Sequence, residues 1–344
     1  MTNDEIKNGE RIPDEASQSL IEQFLAEGDV VGTKDAPETD WHLEELPEGH
    51  QSGFVTLVGR PNVGKSTLIN ALVGQKVAIV SPKPQTTRNR IIGILTRPTH
   101  QIIFSDTPGI HQKPGHRLNR LMIEQAIAAI PDADVLLFVV DVSVAPRDED
   151  RFIARLLQQK AGRRPIFFVL NKMDRLPLKG AKRRIERYWA LLPQHTDSMP
   201  VSALRGTNVQ KLLDHILEII PAGPRYYPGD QITDQTERQV AAELIREAVL
   251  RQTYQEVPHA TAILVEELQT RDNGDTYIEA RIWVERESQK PIIIGKKGQQ
   301  LKKIGTSARR ELERFIGGKV YLDLWVKVKP KWRDHGARLR ELGF

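Results

Sequence analysis

Hydrophobic residues in the first two thirds of the chain come in short runs that end in polar or glycine-rich residues. The clearest runs are Phe54 to Val58, Val135 to Val140 and Ile166 to Leu170. Runs of this length are typical of strands buried on both faces of a parallel sheet. After the first run, Leu68, Ile69 and Leu72 recur at helical spacing. The pattern predicts an α/β domain over residues 53–222, a doubly wound, mostly parallel sheet with helices on both faces.

The pattern changes after a stretch rich in proline, glycine and tyrosine at residues 221–230. Residues 223–235 are therefore predicted to form a linker. A second series of elements follows, a helix at 237–251, strands at 261–268 and 277–284 joined by a hairpin signal at 271–275, a helical stretch at 299–316 and a strand at 319–328. This order predicts a smaller α+β domain over residues 236–330, and residues 331–344 remain as a basic tail.

Residues 59–67 follow the first strand and fit the pattern G-x-x-x-x-G-K-[ST], which is a phosphate-binding loop. The residues of the loop are Gly59, Arg60, Pro61, Asn62, Val63, Gly64, Lys65, Ser66 and Thr67. The two glycines allow the backbone to wrap round a polyphosphate, and the N–H groups at a helix N-terminus favour its negative charge. Lys65 is expected to reach the β- and γ-phosphates, and Ser66 to bind Mg²⁺.

A second strand end carries the sequence Asp106, Thr107, Pro108, Gly109, about 40 residues beyond the loop. Asp106 is expected to hold the metal ion, and Gly109 to offer its N–H to the γ-phosphate. The polar, proline-containing segment 81–88 lies between the two motifs and is predicted to close on Mg²⁺ when GTP binds. Thr87 is the preferred metal ligand of this segment, and Thr86 is the competing one.

The third strand end predicts which base is bound. Asn171, Lys172, Met173 and Asp174 form an N-K-x-D sequence. Guanine presents a ring N–H and an amine on one edge, and the carboxylate of Asp174 can accept both, whereas adenine would leave it unpaired. Ser202, Ala203 and Leu204 are expected to back the guanine. The predicted ligands are therefore GTP, GDP and Mg²⁺, with Lys65, Thr87 and Gly109 acting in hydrolysis.

These motifs resemble those of the translation-factor-related GTPases over residues 53–222. Ile110 stands where small Ras-like GTPases have the glutamine that orients the attacking water, so the resemblance implies slow intrinsic turnover. In several such GTPases an asparagine of the phosphate loop binds K⁺, and Asn62 occupies that position. Asn62 is thus a candidate K⁺ ligand, and the alternative is that it only shapes the loop.

The smaller domain contains Gly295, Lys296, Lys297 and Gly298 between two helices, an arrangement that resembles a type II KH domain. Glycines let the backbone approach a single-stranded RNA, and the lysines between them can meet phosphates. The predicted RNA-binding residues are Ile294, Gly295, Lys296, Lys297, Gly298, Lys302, Lys303, Arg309, Lys329, Lys331 and Trp332. In the basic tail, Trp332 is expected to stack on a base. The alternative is a helix that docks Leu339 and Leu342.

The two halves together resemble the Era family of bacterial GTPases over about residues 53–332. The resemblance implies a GTPase domain followed by a KH domain, binding of the 3′ end of small-subunit (16S) ribosomal RNA, and a role in maturation of the small ribosomal subunit. It also implies a cytoplasmic protein that associates peripherally with the inner face of the cell membrane, and we expect a monomer. The competing hypothesis is a GTP-sensing RNA-binding protein, or a membrane-associated cell-cycle protein, that hydrolyses little GTP.

Charge separates the N-terminal residues from the rest of the chain. Residues 1–52 contain 14 acidic and 3 basic residues, although the whole chain carries +5. High charge with few apolar residues predicts a disordered extension, which either solvates the protein or imitates nucleic acid in the basic groove. A basic cluster at residues 179–187 is either a ribosome-facing patch or a solvated helix face. The chain has no cysteine, which excludes disulfides and thiolate metal sites.

Overall fold

The computed structural model describes residues 46–110 and 115–344, which contain two sheets. The strands of the first sheet are β1 (Gln51–Val58), β2 (Ile91–Arg97), β3 (His100–Asp106), β4 (Val135–Asp141), β5 (Ile166–Asn171) and β6 (Asp197–Pro200). Their order is β2-β3-β1-β4-β5-β6. Only the pairing of β2 with β3 is antiparallel among these described strands, and the other pairs are parallel. The predicted mostly parallel sheet is confirmed.

Helices follow the strands in the alternation that the sequence predicts. They are α1 (Lys65–Val73), α2 (Arg117–Ala128), α3 (Asp148–Lys160), α4 (Ala181–Trp189) and α5 (Val209–Leu217). On one face of the sheet, Leu137 and Val139 of β4 join a buried cluster with residues of α1 and α5. On the other face, the intervening Phe138 packs against Phe168 of β5 with ring centroids 4.8 Å apart. Alternate residues of β4 therefore serve two cores, which explains why its sequence is apolar without interruption.

The first strand begins earlier than the predicted domain boundary at residue 53. β1 starts at Gln51, which lies opposite His100 of β3. The side chain of Gln51 donates hydrogen bonds to the carbonyls of Leu217 and Ile220, at 3.0 and 2.8 Å. Polar residues with such partners do not extend an apolar run, so the pattern missed them. Residues 1–45 of the predicted acidic extension lie outside the described residues.

The second domain has the predicted order of elements. These are α6 (Glu237–Gln252), β7 (Ala262–Thr270), β8 (Thr276–Val284), α7 (Lys290–Ile294), α8 (Gln299–Ile316) and β9 (Val320–Val328). The sheet order is β7-β8-β9, with β8 and β9 parallel. Leu244 and Ile245 of α6 join Ile304 and Leu312 of α8 in one buried cluster against this sheet. The G-x-x-G sequence lies between α7 and α8, as the type II KH resemblance implies.

The linker between the domains runs along the edge of the first sheet. The backbone N–H of Ile94 in β2 donates to the carbonyl of Ile232 at 2.9 Å. The backbone N–H groups of Tyr226 and Tyr227 donate to Gln101 at 2.8 and 3.0 Å. The bond of Ile94 uses a backbone group that the edge strand β2 would otherwise expose, and the other two satisfy the side-chain oxygen of Gln101 in β3.

The C-terminal residues pack on the first domain, and the expected role of Trp332 in base stacking is wrong for this conformation. A turn at Trp332–Asp334 and the helix α9 (Gly336–Glu341) follow β9. Trp332 is fully buried in a cluster with Leu118 and Met122 of α2, and its indole N–H donates to the carbonyl of Ala260 at 2.9 Å. Leu339 is buried in the same cluster. Docking of this helix, the alternative hypothesis, is the arrangement observed.

Within residues 46–110 and 115–344 we find no helix with the length and apolar character needed to cross a bilayer.

Replacing Trp332 with alanine is expected to lower the free energy of unfolding by about 3–5 kcal/mol, because the indole leaves an apolar cluster and the carbonyl of Ala260 loses its donor. Urea denaturation followed by circular dichroism would measure the change. Trp325 is 58% exposed on β9 and provides the matched control. Trp325→Ala is expected to change the stability by no more than about 0.5 kcal/mol. Equal losses in the two variants would contradict the packing role of Trp332.

Candidate functional site

The phosphate loop joins β1 to α1 in a space that admits only glycine at two positions. A Cβ atom on Gly59 would lie 2.4 Å from the carbonyl oxygen of Val139. Gly64 has a φ of +101°, and a Cβ atom there would lie 2.4 Å from Nδ2 of Asn171. The sequence motif therefore reflects close backbone packing as well as access for phosphate.

Lys65 lies at the start of α1 and folds back over the loop. Its ammonium donates to the carbonyls of Gly59 and Arg60, at 3.0 and 3.3 Å. Burial lowers the pKa of Lys65 to about 8, and the nearby carboxylate of Asp106 opposes this shift. The positive charge is thus held beside the loop N–H groups, where a polyphosphate would be bound.

The three predicted Mg²⁺ ligands come together at one point. The hydroxyl groups of Ser66 and Thr87 donate to Oδ2 of Asp106, at 2.6 and 2.9 Å, and lie 2.9 Å from each other. Thr86 instead donates to the carbonyl of Lys83 at 2.7 Å, which places it away from this cluster. The structure therefore favours Thr87 over Thr86.

Asp106 carries the charge of this cluster, and one of its oxygens is available for a further partner. The side chain is fully buried, and Oδ1 has no hydrogen-bond partner among the described residues. Burial raises the pKa of Asp106, while Lys65 and the hydroxyls of Ser66 and Thr87 oppose the rise. Two hydroxyls and a buried carboxylate with an unpartnered oxygen fit a hard cation with its bound water, as Mg²⁺ requires.

The residues after Asp106 fix the backbone close to the phosphate loop. A Cβ atom on Gly109 would lie 2.6 Å from the backbone nitrogen of Pro61, so only glycine allows this approach. The hydroxyl of Thr107 donates to the carbonyl of Leu57 at 2.7 Å. Ile110 is fully buried, and its N–H donates to the carbonyl of Gly59 at 3.3 Å. Its apolar side chain has no group that could orient water.

The predicted base-binding residues form one connected group around Asn171. The side-chain amide of Asn171 donates to the carbonyl of Val63 at 2.7 Å, and its oxygen accepts from the N–H of Ala203 at 3.0 Å. The hydroxyl of Ser202 donates to Asp174 at 2.6 Å. Asn171 thereby joins the phosphate loop, the N-K-x-D sequence and the Ser202 loop. Leu204 of the same loop is 66% exposed and remains accessible.

Lys172 connects the base-binding region with the phosphate loop. It has a φ of +63°, and its ammonium donates to the carbonyl of Asn62 at 2.6 Å and to Asp141 at 2.8 Å. The side-chain amide of Asn62 donates to the carbonyl of Pro82 at 2.9 Å. Asn62 thus contacts the Thr87-containing segment, which agrees with a shaping role. Its role as a K⁺ ligand stays a prediction.

A buried charge network that the motifs did not predict lies behind the loop. Arg60 lies 3.3 Å from Asp150 and 3.7 Å from Asp141, measured between the nearest nitrogen and oxygen atoms. Burial raises the pKa of Asp150, although the N–H of Arg147 and the charge of Arg60 oppose this. Asp141 ends β4 as Asp106 ends β3, so a carboxylate at the end of a parallel strand was the signal that could have predicted it.

The G-x-x-G loop opens one end of a groove between α8 and the edge strand β9. Gly295 has a φ of +72°, and a Cβ atom there would lie 2.6 Å from Cβ of Gln300. The groove has a volume of ≈ 850 Å³ and is lined by Gly298, Leu301, Lys302, Thr306, Arg309, Tyr321, Leu322 and Leu324. Tyr321, an exposed aromatic in a strand, was missed by the sequence analysis.

The remaining predicted RNA residues lie elsewhere. Lys303 lines a second depression, near Gln252 of α6. The ammonium of Lys329 lies 5.0 Å above the ring of Trp283. The groove does not include Lys329, Lys331 or Trp332 among its described lining residues, so the structure separates these three from the G-x-x-G residues.

Family models match a part of each of the two domains. Residues 54–172 match a family described as 50S ribosome-binding GTPase, and residues 256–333 match the KH domain. The match between this chain and its curated relatives spans almost the full length of each relative. GTPase Era of Heliobacterium modesticaldum is 47% identical over 86% of this chain and 97% of its own, and GTPase Era of Carboxydothermus hydrogenoformans is 48% identical over 86% and 98%.

Two solved structures resemble the whole two-domain arrangement. Era in complex with MgGDPNP and nucleotides 1506–1542 of 16S ribosomal RNA is 42% identical, with a TM-score of 0.81 over 86% of this chain and 99% of that chain. A variant of Aquifex aeolicus Era bound to GDP·AlF4⁻ is also 42% identical, with a TM-score of 0.80 over 85% and 99%.

The affinity for GDP is expected to be constant below about pH 8, the pKa of Lys65 in the ligand-free protein, and to weaken as the pH rises above it. Below that pKa the ammonium is charged and attracts phosphate, and above it the side chain is neutral. The dissociation constant should rise up to about tenfold per pH unit. Titration of labelled GDP would measure it. Lys65→Gln lacks the titrating group and should bind weakly with little pH dependence; the same pH profile in both proteins would contradict the assignment.

Proposed function

The chain belongs to the Era family of GTPases, and from this premise we propose that it couples GTP hydrolysis in the first domain to binding of the 3′ end of 16S ribosomal RNA by the KH domain. It is a GTPase that uses GTP, GDP and Mg²⁺. The observation that carries the nucleotide half of the proposal is the meeting of Ser66, Thr87 and Asp106 at one point beside Lys65. We propose that the protein acts in this way during maturation and assembly of the small ribosomal subunit.

The residues of the first domain have separate tasks in this mechanism. The hydroxyls of Ser66 and Thr87 would hold Mg²⁺, with Asp106 reaching it through water; the ion supplies positive charge to the phosphate oxygens. Lys65 neutralises charge on the β- and γ-phosphates, and the N–H of Gly109 lies beside the phosphate loop for the γ-phosphate. Water attacks the γ-phosphorus in line with the leaving oxygen. Ile110 is buried and apolar, so slow intrinsic turnover is expected.

The groove of the second domain suits a single-stranded RNA. Lys296 and Lys297 stand between the two glycines next to it, and Lys302, Arg309 and Tyr321 line it. The cations of Arg271 and Lys319 lie 5.5 and 5.2 Å from the centre of the Tyr321 ring. The GTPase family description names the 50S subunit, but the 42% identical Era complex contains 16S ribosomal RNA. That complex matches both domains, so we favour the small subunit as the partner.

Stimulation by K⁺ through Asn62, a monomeric state, a cytoplasmic location and peripheral association with the cell membrane stay predictions. A protein that senses GTP with little hydrolysis is the second candidate function, and the buried Ile110 is the observation that favours it.

Asp174→Asn is expected to weaken GTP binding by about a hundredfold, because the charged acceptor for the guanine N–H groups is lost. It should also create binding of xanthosine triphosphate. Xanthine presents one N–H and one carbonyl on this edge, and asparagine supplies the matching acceptor and donor. Competition against labelled GDP would measure both affinities.

The control for this exchange is Asp214→Asn, which removes the same charge from an exposed position on α5. Asp214→Asn should leave the nucleotide preference unchanged. Unchanged preference for GTP over xanthosine triphosphate in Asp174→Asn would contradict the assignment of the base site.

The double variant Lys296→Gln, Lys297→Gln should weaken binding of an RNA oligonucleotide carrying the 3′ end of 16S ribosomal RNA by about tenfold or more, since two phosphate contacts are lost. The slope of log affinity against log salt concentration should fall in magnitude by about 1.4. Fluorescence anisotropy over a series of salt concentrations would give both quantities.

The matched control is Lys182→Gln, Arg183→Gln, which removes two exposed charges from α4 of the first domain. This pair belongs to the basic cluster at residues 179–187, whose role the sequence left open. Retained RNA affinity in the α4 variant would exclude Lys182 and Arg183 as RNA contacts. Equal loss in both variants would overturn the proposal that the G-x-x-G loop is the principal RNA contact.

A further inference from the structure

The residue that completes the predicted metal site lies in a segment without regular structure of its own. Residues 74–90, called here the Thr87 segment, join α1 to β2 and contain neither helix nor strand. No ladder of backbone hydrogen bonds therefore fixes Thr87 within the first domain. Its position beside Ser66 and Asp106 must depend on what holds the neighbouring residues.

Both neighbours of Thr87 are held by the KH domain. The carbonyl of Thr86 accepts a hydrogen bond from the guanidinium of Arg246 in α6. On the other side, the guanidinium of Arg88 donates to the carbonyls of Thr261 and His259, at 2.6 and 3.1 Å. Thr87 thus lies between two residues, Thr86 and Arg88, that are each hydrogen-bonded to the KH domain.

The side chain of Arg246 is also held by a residue of its own helix. Its Nε donates to Glu243 one helical turn earlier at 2.8 Å, and the side chain is 3% exposed. Burial and the charge of Arg246 lower the pKa of Arg88 to about 9, while Glu243 opposes this. The two buried guanidinium groups are therefore close, and their geometry is set by Glu243 and by backbone carbonyls.

Other contacts hold the start of the same segment on α6. Glu247 accepts from the ammonium of Lys76 at 2.6 Å and from the backbone N–H of Val80 at 3.1 Å. Ile79 is buried within the core cluster of the KH domain. The Thr87 segment is therefore bonded to α6 at Lys76, Val80 and Thr86, while Asn70 of α1 holds Val77 and Ala78 on the first domain.

We propose that Arg246 is a positioning residue for GTP hydrolysis, which holds the carbonyl of Thr86 so that the hydroxyl of Thr87 stays at the metal site. The inference rests on the proposed function, since it concerns the same Mg²⁺ and GTP. The hydrogen bonds of Arg246 go to the carbonyl of Thr86 and to Glu243, and none of those described reaches Ser66, Asp106 or the hydroxyl of Thr87. The hydrogen bond from Arg246 to the carbonyl of Thr86 fixes the peptide unit that joins Thr86 to Thr87. A guanidinium group suits this role because it can bind Glu243 and the carbonyl at the same time.

Arg246→Gln is expected to lower the single-turnover rate of GTP hydrolysis about tenfold and to raise the Mg²⁺ concentration for half-maximal rate by a similar factor, because Thr87 is no longer fixed. The affinity for GDP should remain unchanged, since Lys65, Asn171 and Asp174 are untouched. Arg246→Lys keeps the charge but cannot bind both partners as a fork, so an intermediate rate is expected.

Arg238→Gln is the matched control. Arg238 lies at the start of the same helix, and it donates to the carbonyl of Glu266 at 2.9 Å, within the KH domain. This variant should keep the rate and the Mg²⁺ dependence of the unsubstituted protein. An equal loss in Arg238→Gln would overturn the proposal by showing a general effect of altering α6.

The outcomes separate this inference from the proposed function. If the unsubstituted protein binds no GTP, the proposed function fails. If it binds and hydrolyses GTP, an unchanged or faster rate with an unchanged Mg²⁺ midpoint in Arg246→Gln overturns the role of Arg246. Thermal melting of each variant is measured first, and if Arg246→Gln is unfolded at the assay temperature, Arg246→Lys decides the question by the same criterion.

Discussion

The burial of the Asp106 carboxylate is the constraint on which the first domain's site depends. A charged group without access to water is costly unless it is paired and hydrogen-bonded. The hydroxyl of Ser66 comes from α1, that of Thr87 from the Thr87 segment, and the charge of Lys65 from the phosphate loop. Lys65 and Ser66 are consecutive, so two parts of the chain, the start of α1 and the Thr87 segment, are drawn to the end of β3. These partners all reach Oδ2 or act through charge, and Oδ1 has no hydrogen-bond partner among the described residues. The unpartnered oxygen suits a metal ion and its water.

The Thr87 segment belongs to two domains at once, although the sequence assigns it to one. Ile79 is buried with the apolar residues of the KH domain, while Thr87 completes a polar cluster of the GTPase domain. The C-terminal residues do the reverse, since Trp332 packs against α2 of the GTPase domain. Each domain thus contributes a buried residue to an apolar cluster of the other. The contact between the domains therefore includes buried apolar packing as well as hydrogen bonds and ion pairs.

Local motifs were predictable from sequence because each is contained in a few consecutive residues. The loop at 59–67, the strand ends at Asp106 and Asn171, and the order of elements in the KH domain all follow from short patterns. Trp332 was not predictable in this way. An aromatic residue among cations has the same local sequence whether it stacks on a base or packs on Leu118. The helix that buries Trp332 is α2, which lies more than two hundred residues earlier in the chain. Thr86 and Thr87 were likewise left open, because only the fold turns one hydroxyl to Asp106 and the other to Lys83.

The contacts between the KH domain and the flanks of Thr87 involve backbone carbonyls rather than complementary side chains. Arg246 binds a carbonyl of the segment, and Arg88 of the segment binds carbonyls that precede β7. Carbonyl positions depend on the φ and ψ angles of the chain, so such bonds depend on the path of the backbone at both ends. A shift of α6 relative to β7 would change these two sets of hydrogen bonds differently and rotate the peptide units around Thr87. Such a rotation would change the distance between the Thr87 hydroxyl and Asp106, which is 2.9 Å here, and this is a physical route by which movement of the KH domain would reach the proposed metal site.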